Sequence, residues 1–227
     1  MIPGIDVSKW EPVIDWAKVA QAGYKFSYTK ATQGIYIKDA YFIQHTQGAR
    51  ANGMLAGAYH YYEPAYPAKE QADYFLSTIK GIDLDLPCAL DFEEDTYIPV
   101  GQVATALLEW LTIVEAETGK RPTIYTSARF WPEAGSPTWS TLYPLWAAAW
   151  TTGATPILPK PWAVWTFWQH SSHGSVPGIA GDCDLDRFNG TMAELYALAG
   201  KPLEPEITHA DLDKKLDVII ALLKGGL

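Results

Sequence analysis

Short apolar runs alternate with helix-length amphipathic stretches along most of this chain, and that alternation leaves few folds open. Residues 4–8 read as a strand, 14–22 as a helix stopped by Gly23, and 24–32 as a second strand. A helix over 39–51 closes at Asn52-Gly53, followed by a strand over 55–62 and a helix over 68–79. Residues 87–93 form the fourth strand candidate, and 100–118 a long helix closed by Gly119. Further strands fit 122–126, 145–150, 163–169 and 182–188, while 131–143, rich in Pro, Ser and Thr, reads as a loop. Eight strands with interleaved helices predict an α/β chain folded as a parallel, TIM-like (β/α) barrel, with functional groups at the C-terminal ends of the strands. Helices after the fifth strand look short or absent, so the barrel is expected to be irregular.

The chain has 227 residues, 48% of them hydrophobic and 19% charged, which suits one large core. Ten Trp and thirteen Tyr exceed what that core needs. Most are expected in packing, and the surplus is of the kind that lines sugar-binding grooves. A net charge of −9 with no basic stripe argues against nucleic acid and gives no pull toward an anionic membrane. No apolar run approaches ~20 residues, so membrane insertion is not expected. The opening MIPGIDVSKW lacks the charged and apolar regions of a signal peptide. A substrate outside the cytoplasm would then require delivery by another agent. Cys88 and Cys183 are too few for a disulfide framework; both are predicted to face outward, on strands far apart in a closed barrel, as buried thiols.

After Gly200 the character changes. Residues 1–200 read as the barrel, 201–207 with two prolines as a linker, and 208–227 as an amphipathic helix starting at Thr208. Leu212, Leu216, Ile219 and Leu223 form a heptad seam of about two heptads, suited either to docking on the barrel or to self-association.

The chemical signal is Leu90-Asp91-Phe92-Glu93 at the end of an apolar strand. Side chains alternate along a strand, so Asp91 and Glu93 share a face with Cα atoms roughly 6.6 Å apart, and Phe92 points the other way. Two carboxylates on an inner face repel each other and are costly to bury; one is expected to stay protonated near neutrality, as a general acid must. The pattern also fits acids that merely close a strand. Asp6 ends the first strand and Asp184 lies near the end of the last, and in a closed barrel those strands are neighbours.

Ordered motifs carry a resemblance. Gly4-Ile5-Asp6-Val7-Ser8, Tyr28-Thr29-Lys30-Ala31-Thr32-Gln33-Gly34, Gly57-Ala58-Tyr59-His60-Tyr61 and Leu90-Asp91-Phe92-Glu93 come first. Ile124-Tyr125-Thr126-Ser127, Leu145-Trp146-Ala147-Ala148, Trp168-Gln169 and Asp184-Leu185-Asp186-Arg187-Phe188 complete the series. Together, over about residues 2 to 190, they resemble glycoside hydrolase family 25, the Chalaropsis-type lysozymes that include many phage endolysins. The resemblance implies a modified α/β barrel that cleaves the β-1,4 bond from N-acetylmuramic acid to N-acetylglucosamine in bacterial peptidoglycan, without cofactor or metal. It implies Glu93 as proton donor, Asp91 as the group that orients the 2-acetamido nucleophile of the substrate, and Asp6 and Asp184 as the acids that hold this pair. Carboxylate spacing then says nothing about stereochemistry. Lys30 and Tyr125 match positions lining the active site, with Tyr61 and Trp146 expected to flank the groove. An endolysin-like protein would be made in a bacterial host cytoplasm and act on the wall after release.

Three positions depart from the pattern: Gln33 stands where the family often has Glu, Glu11 where it often has Gln, and Asp186 where it often has Asn. His60, His170 and His173 have no Cys or Asp cluster to complete a metal set; His60 reads as structural. Two other functions compete. Gly81-Ile82-Asp83-Leu84-Asp85 before Asp91 and Glu93 loosely echoes the acid-rich strand of chitinases, although Pro87 interrupts it. A barrel that binds wall glycan without cleaving it is the other; such proteins usually arise by loss of acids, and all four remain here.

Overall fold

The computed structural model describes residues 1–151 and 153–202. The helix expected over 208–227, and the linker expected before it beyond residue 202, lie outside the described residues.

Among the described residues nine strands form one sheet. β1 (Ile2–Val7), β2 (Phe26–Gln33), β4 (Leu55–Tyr61), β5 (Ala89–Asp91), β6 (Thr123–Thr126), β7 (Leu145–Ala148) and β8 (Phe167–Gly174) pair successively in parallel. β9 (Cys183–Phe188) closes the barrel and runs antiparallel to both of its neighbours, β8 and β1. The all-parallel expectation is corrected there. Only eight residues separate β8 from β9 (175–182), too few for the crossover that a parallel strand needs. β3 (Ile37–Lys38) is an antiparallel hairpin on β2, outside the barrel.

Helices α1 (Trp16–Gln21), α2 (Phe42–Ala51), α3 (Ala68–Ile79) and α4 (Val100–Thr118) cover the first half of the barrel. Beyond β6 the connections carry 3₁₀ turns at Trp131–Ala134 and Thr138–Leu142, where a loop is predicted, so the expected irregularity is present. The last helix among the described residues, α5 (Met192–Leu198), is absent from the sequence reading; Thr191 and Glu194 form its capping box.

Alternation along the strands sorts the side chains into two layers. Outward residues such as Leu90, Phe92, Ile124, Leu145 and Trp168 belong to one outer core with residues of α3 and α4, where Phe75, Trp110 and Leu111 are fully buried. Inward residues form a plug: Phe26, Leu55, Phe167 and Phe188, with Tyr28, Tyr125 and Trp146 above them and α5 covering the end through Leu195. Of the ten tryptophans, Trp10 and Trp150 are the two that are mainly exposed, so the aromatic surplus is largely packing. Both cysteines are free and buried in the outer layer, Cys88 near α4 and Cys183 near α1.

Gly57 makes the plug possible. A Cβ at this position would lie 2.4 Å from the Tyr28 ring. That ring is fully buried and fixed by a 3.0 Å hydrogen bond from its hydroxyl to the Pro87 carbonyl. Gly57→Ala is therefore expected to destabilise the fold by about 1–3 kcal/mol, through overpacking. Urea denaturation checks this; an unchanged midpoint would mean that the ring gives way freely.

Candidate active site

The interior changes from apolar to acidic along the barrel axis. At the C-terminal ends of the parallel strands, Asp6, Tyr59, Asp91, Glu93, Tyr125, Trp146, Gln169 and Asp184 line one pocket of about 60 Å³. The topology thus unites acids that lie far apart in sequence. Asp6 and Asp184 are direct register partners across β1 and β9. Asp91 is the last residue of β5, and Glu93 follows one outward-pointing residue later, just beyond the strand. Phe92 packs in the outer core.

Burial is the leading cause of the perturbed acidity here. Glu93 is pushed up to about 7, chiefly by burial and secondarily by Asp184, while the Lys30 ammonium pulls it down. Burial also raises Asp91 well above the ordinary carboxylate range, with the Glu93 charge second. Mutual repulsion, the cause expected from the sequence, is thus secondary. Asp91 Oδ1 is buried and has no hydrogen-bond partner among the described residues.

Lys30 reaches this acidic floor from β2. Its ammonium donates to Gln33 Oε1 at 2.8 Å and lies 4.5 Å from the centre of the Tyr61 ring. Gln33 Nε2 in turn donates to Glu63 Oε1 at 2.6 Å, and the Tyr36 hydroxyl donates to the same oxygen at 2.8 Å. This explains the departure at position 33. A carboxylate there would face Glu63, whereas the amide bridges Glu63 to Lys30 and leaves the lysine charge directed at Asp91 and Glu93. Glu11 accepts from the Ser8 backbone N–H at 2.9 Å and pins the turn after β1.

The two residues implied as flanks of the groove take different places. Tyr61 lies at the rim, half-buried, opposite Asp91 in the β4–β5 ladder. Trp146 is 1% exposed and forms part of the floor, its indole N–H committed to Asp186 Oδ1 at 2.8 Å. Its strand position points it inward onto Tyr28, whose ring centre is 4.6 Å away. Trp150 instead supplies an exposed indole at the rim and donates to Gln169 Oε1 at 3.1 Å.

Gln169 is the residue that charge-based reading passes over. It sits inside the Trp168-Gln169 motif, but as an amide it carries no charge to mark it. The structure makes it a hub: Oε1 also accepts from the Tyr125 hydroxyl at 2.9 Å, and Nε2 donates to Asp6 Oδ2 at 2.8 Å.

His60 lies in the outer layer, its ring 2.7 Å from Thr32 Oγ1 and 3.1 Å from Gln71 Oε1, stacked on Trp110. Burial lowers it to about 3, so it stays neutral. Among the described residues no group of three His, Cys, Asp or Glu is placed to hold a metal ion. Asp83 and Asp85 lie at the other end of the barrel, where Asp85 pairs with Arg50 and Lys201. A larger cavity there, about 730 Å³, is lined by Arg50, Leu55, Asp85 and Lys201 and has no carboxylate pair free for acid chemistry.

Asp186 is 1% exposed; its Oδ1 accepts from Trp146 and its Oδ2 has no partner among the described residues. Burial, reinforced by Asp184, raises it well above the ordinary range and so favours its neutral form, the form an Asn mimics. The unfolded chain releases this proton near pH 3.9, while the folded chain keeps it to higher pH. Wild-type stability therefore falls as pH rises from about 4 toward the raised folded value. Asp186→Asn is expected to keep most activity and to gain roughly 1–3 kcal/mol at pH 7, with little gain at pH 4. Denaturation at both pH values tests this, and an equal effect at the two would overturn it.

Comparison with known proteins agrees with this geometry. The family model for glycosyl hydrolases family 25 matches residues 5–179. "Lysozyme M1" of Streptomyces globisporus is 38% identical over 211 residues, 87% of this chain and 71% of its own. An Escherichia coli (strain K12) relative, "Uncharacterized protein YegX", is 39% identical over 201 residues, 86% of this chain and 72% of its own. The crystal structure of the bacterial lysozyme from Streptomyces coelicolor superposes with a TM-score of 0.82 at 37% identity, covering 87% of this chain and 96% of that one. An acid-floored barrel, an ordered motif series and a family match across residues 5–179 meet in one conclusion: this chain belongs to glycosyl hydrolases family 25.

Proposed function

We propose that the chain is a peptidoglycan muramidase, cleaving the β-1,4 bond between N-acetylmuramic acid and N-acetylglucosamine. The observation that carries this reading is the placement of Glu93, raised to about 7, beside the buried Asp91 in one pocket at the strand ends. The family match and the lysozyme relatives support it.

The pocket lined by Asp91 and Glu93 is small, about 60 Å³. In this reading a sugar ring sits across the mouth of the pocket, with a substituent directed into it. The unpartnered Asp91 Oδ1 suits the N–H of a 2-acetamido group. Held this way, the acetamido oxygen attacks the anomeric carbon as the bond to the leaving oxygen breaks. Glu93 delivers its proton to that oxygen, and positive charge developing on the sugar favours ionised Asp91. The Glu93 carboxylate then takes a proton from the water that opens the intermediate. Lys30 keeps the acid pair from holding more protons than this cycle uses. Asp6 and Asp184, on the far wall, hold the field around the pair.

Peptidoglycan is the partner this chemistry requires. Self-association through residues 212–223 remains a proposal from the heptad seam, tested by comparing the solution mass of the full chain with that of a version ending at Gly200. Delivery to the wall after release from a host cytoplasm is proposed on the same footing. The function itself is tested by digesting purified peptidoglycan, reducing the new ends with borohydride and identifying them by mass spectrometry. Reduced N-acetylmuramic acid is the expected end. Reduced N-acetylglucosamine would overturn the bond assignment, and binding without new ends would overturn hydrolysis.

A further inference from the structure

Tyr125 and Gln169 carry a consequence for which proton sits where. Trp150 Nε1–H is a donor only, and it lies 3.1 Å from one end of the Gln169 amide. That end must be the oxygen, and the nitrogen at the other end then donates to the Asp6 carboxyl, 2.8 Å away. The amide is thus fixed in orientation by two independent partners. The Tyr125 hydroxyl, 2.9 Å from the same Gln169 oxygen, has one proton to give, and Glu93 Oε2 lies farther off at 3.5 Å.

We propose that Gln169 is a positioning residue that claims the single phenolic proton of Tyr125, turning the phenol oxygen toward Glu93 as a hydrogen-bond acceptor. A phenol that accepts is a partner for the protonated acid and a poor one for its carboxylate. The amide therefore keeps Glu93 in the form that can donate, without touching it. This deepens the reading of Glu93 as the proton donor, and rests on it for its functional meaning. Other groups act on Glu93 as well: Lys30 from β2, Asp184 from β9, and Asp91 and Glu94 beside it in the chain, with Asp6 and Tyr59 lining the same pocket. None of these is altered chemically by changing residue 169, except Asp6, which loses its amide donor.

The test is a carbon-13 NMR titration of the glutamate carboxyls, with the Glu93 signal identified by its absence in Glu93→Gln. In Gln169→Met the freed phenolic proton turns to the Glu93 carboxylate and stabilises it. The Glu93 midpoint is expected to fall by about one pH unit, a tenfold change in acidity. The same change made on Tyr125→Phe removes the phenol and should produce no such fall. The loss of the Asp6 donor is common to both backgrounds, so the difference isolates the phenol. Gln169→Glu keeps an acceptor for Tyr125 and Trp150 and serves if the Met variant fails to fold; its Glu93 midpoint should stay or rise. An unchanged midpoint in Gln169→Met, an equal fall in both backgrounds, or a fall in Gln169→Glu would overturn the proposal. The titration needs no turnover, so these results are separate from those of the product analysis. A purely structural role for Gln169 would lower activity at every pH and leave the midpoint in place.

Discussion

Glu93→Gln is expected to lower turnover of peptidoglycan by about 10²–10⁴-fold, the usual contribution of a general acid. The amide fills the same space, can donate an N–H to the Tyr125 oxygen, and has no proton of suitable acidity to give. The loss should depend on the leaving group. A glycoside with a 2,4-dinitrophenyl leaving group needs no proton, so the deficit of the variant on that substrate should shrink to about tenfold or less. The kcat/KM values on both substrates, which report the steps up to cleavage of the glycosidic bond, settle this. An equal deficit on the two, in a variant with wild-type circular dichroism, would give Glu93 some role other than proton donor.

Asp91→Asn is expected to act in opposite directions on activity and stability. Its carboxylate faces positive charge that develops only in the transition state, so turnover should fall by about 10²–10³-fold. Stability should rise. Asp91 is 4% exposed, its Oδ1 has no partner, and burial raises it well above the ordinary range. Below the unfolded value near 3.9 both states hold the proton; above it the unfolded chain releases it first, so wild-type stability declines as pH rises. The Asn variant escapes that decline and should gain roughly 1–3 kcal/mol near neutrality. For a chain of this size that is about 2–4 °C in Tm per kcal/mol. Calorimetry at pH 7 and at pH 4 checks the sign. A variant that loses both activity and stability at pH 7 would mean that Asp91 is a structural carboxylate.

The barrel was legible because its strands are short apolar runs with turn residues between them. The two-residue period also placed side chains correctly: Phe92, Cys88 and Cys183 face outward, and Asp6, Asp91 and Asp184 inward. Strand direction is not encoded in that period, so the antiparallel β9 was missed, although the short span after β8 leaves no room for a crossover helix. α5 carried a readable signal, Thr191 with Glu194 three residues on, hidden in a short segment before the composition changes at Gly200. In the site, charge marked the acids and Lys30. Charge did not mark Gln169, whose importance comes from three partners on three different segments, Asp6, Tyr125 and Trp150. The resemblance implies Trp146 as a flank of the groove. Its inward strand position and its bond to Asp186 make it floor instead.

The most direct test of the account is kcat/KM against pH for two substrates, a soluble peptidoglycan oligomer and a glycoside with an activated leaving group. With Glu93 raised to about 7, activity on the oligomer should fall as pH rises through about 7, because the acid is lost as its proton leaves. On the activated glycoside that falling limb should flatten. A limb beginning near the ordinary glutamate value of about 4.3, or the same limb on both substrates, would contradict the claim that the half-buried Glu93 is the proton donor.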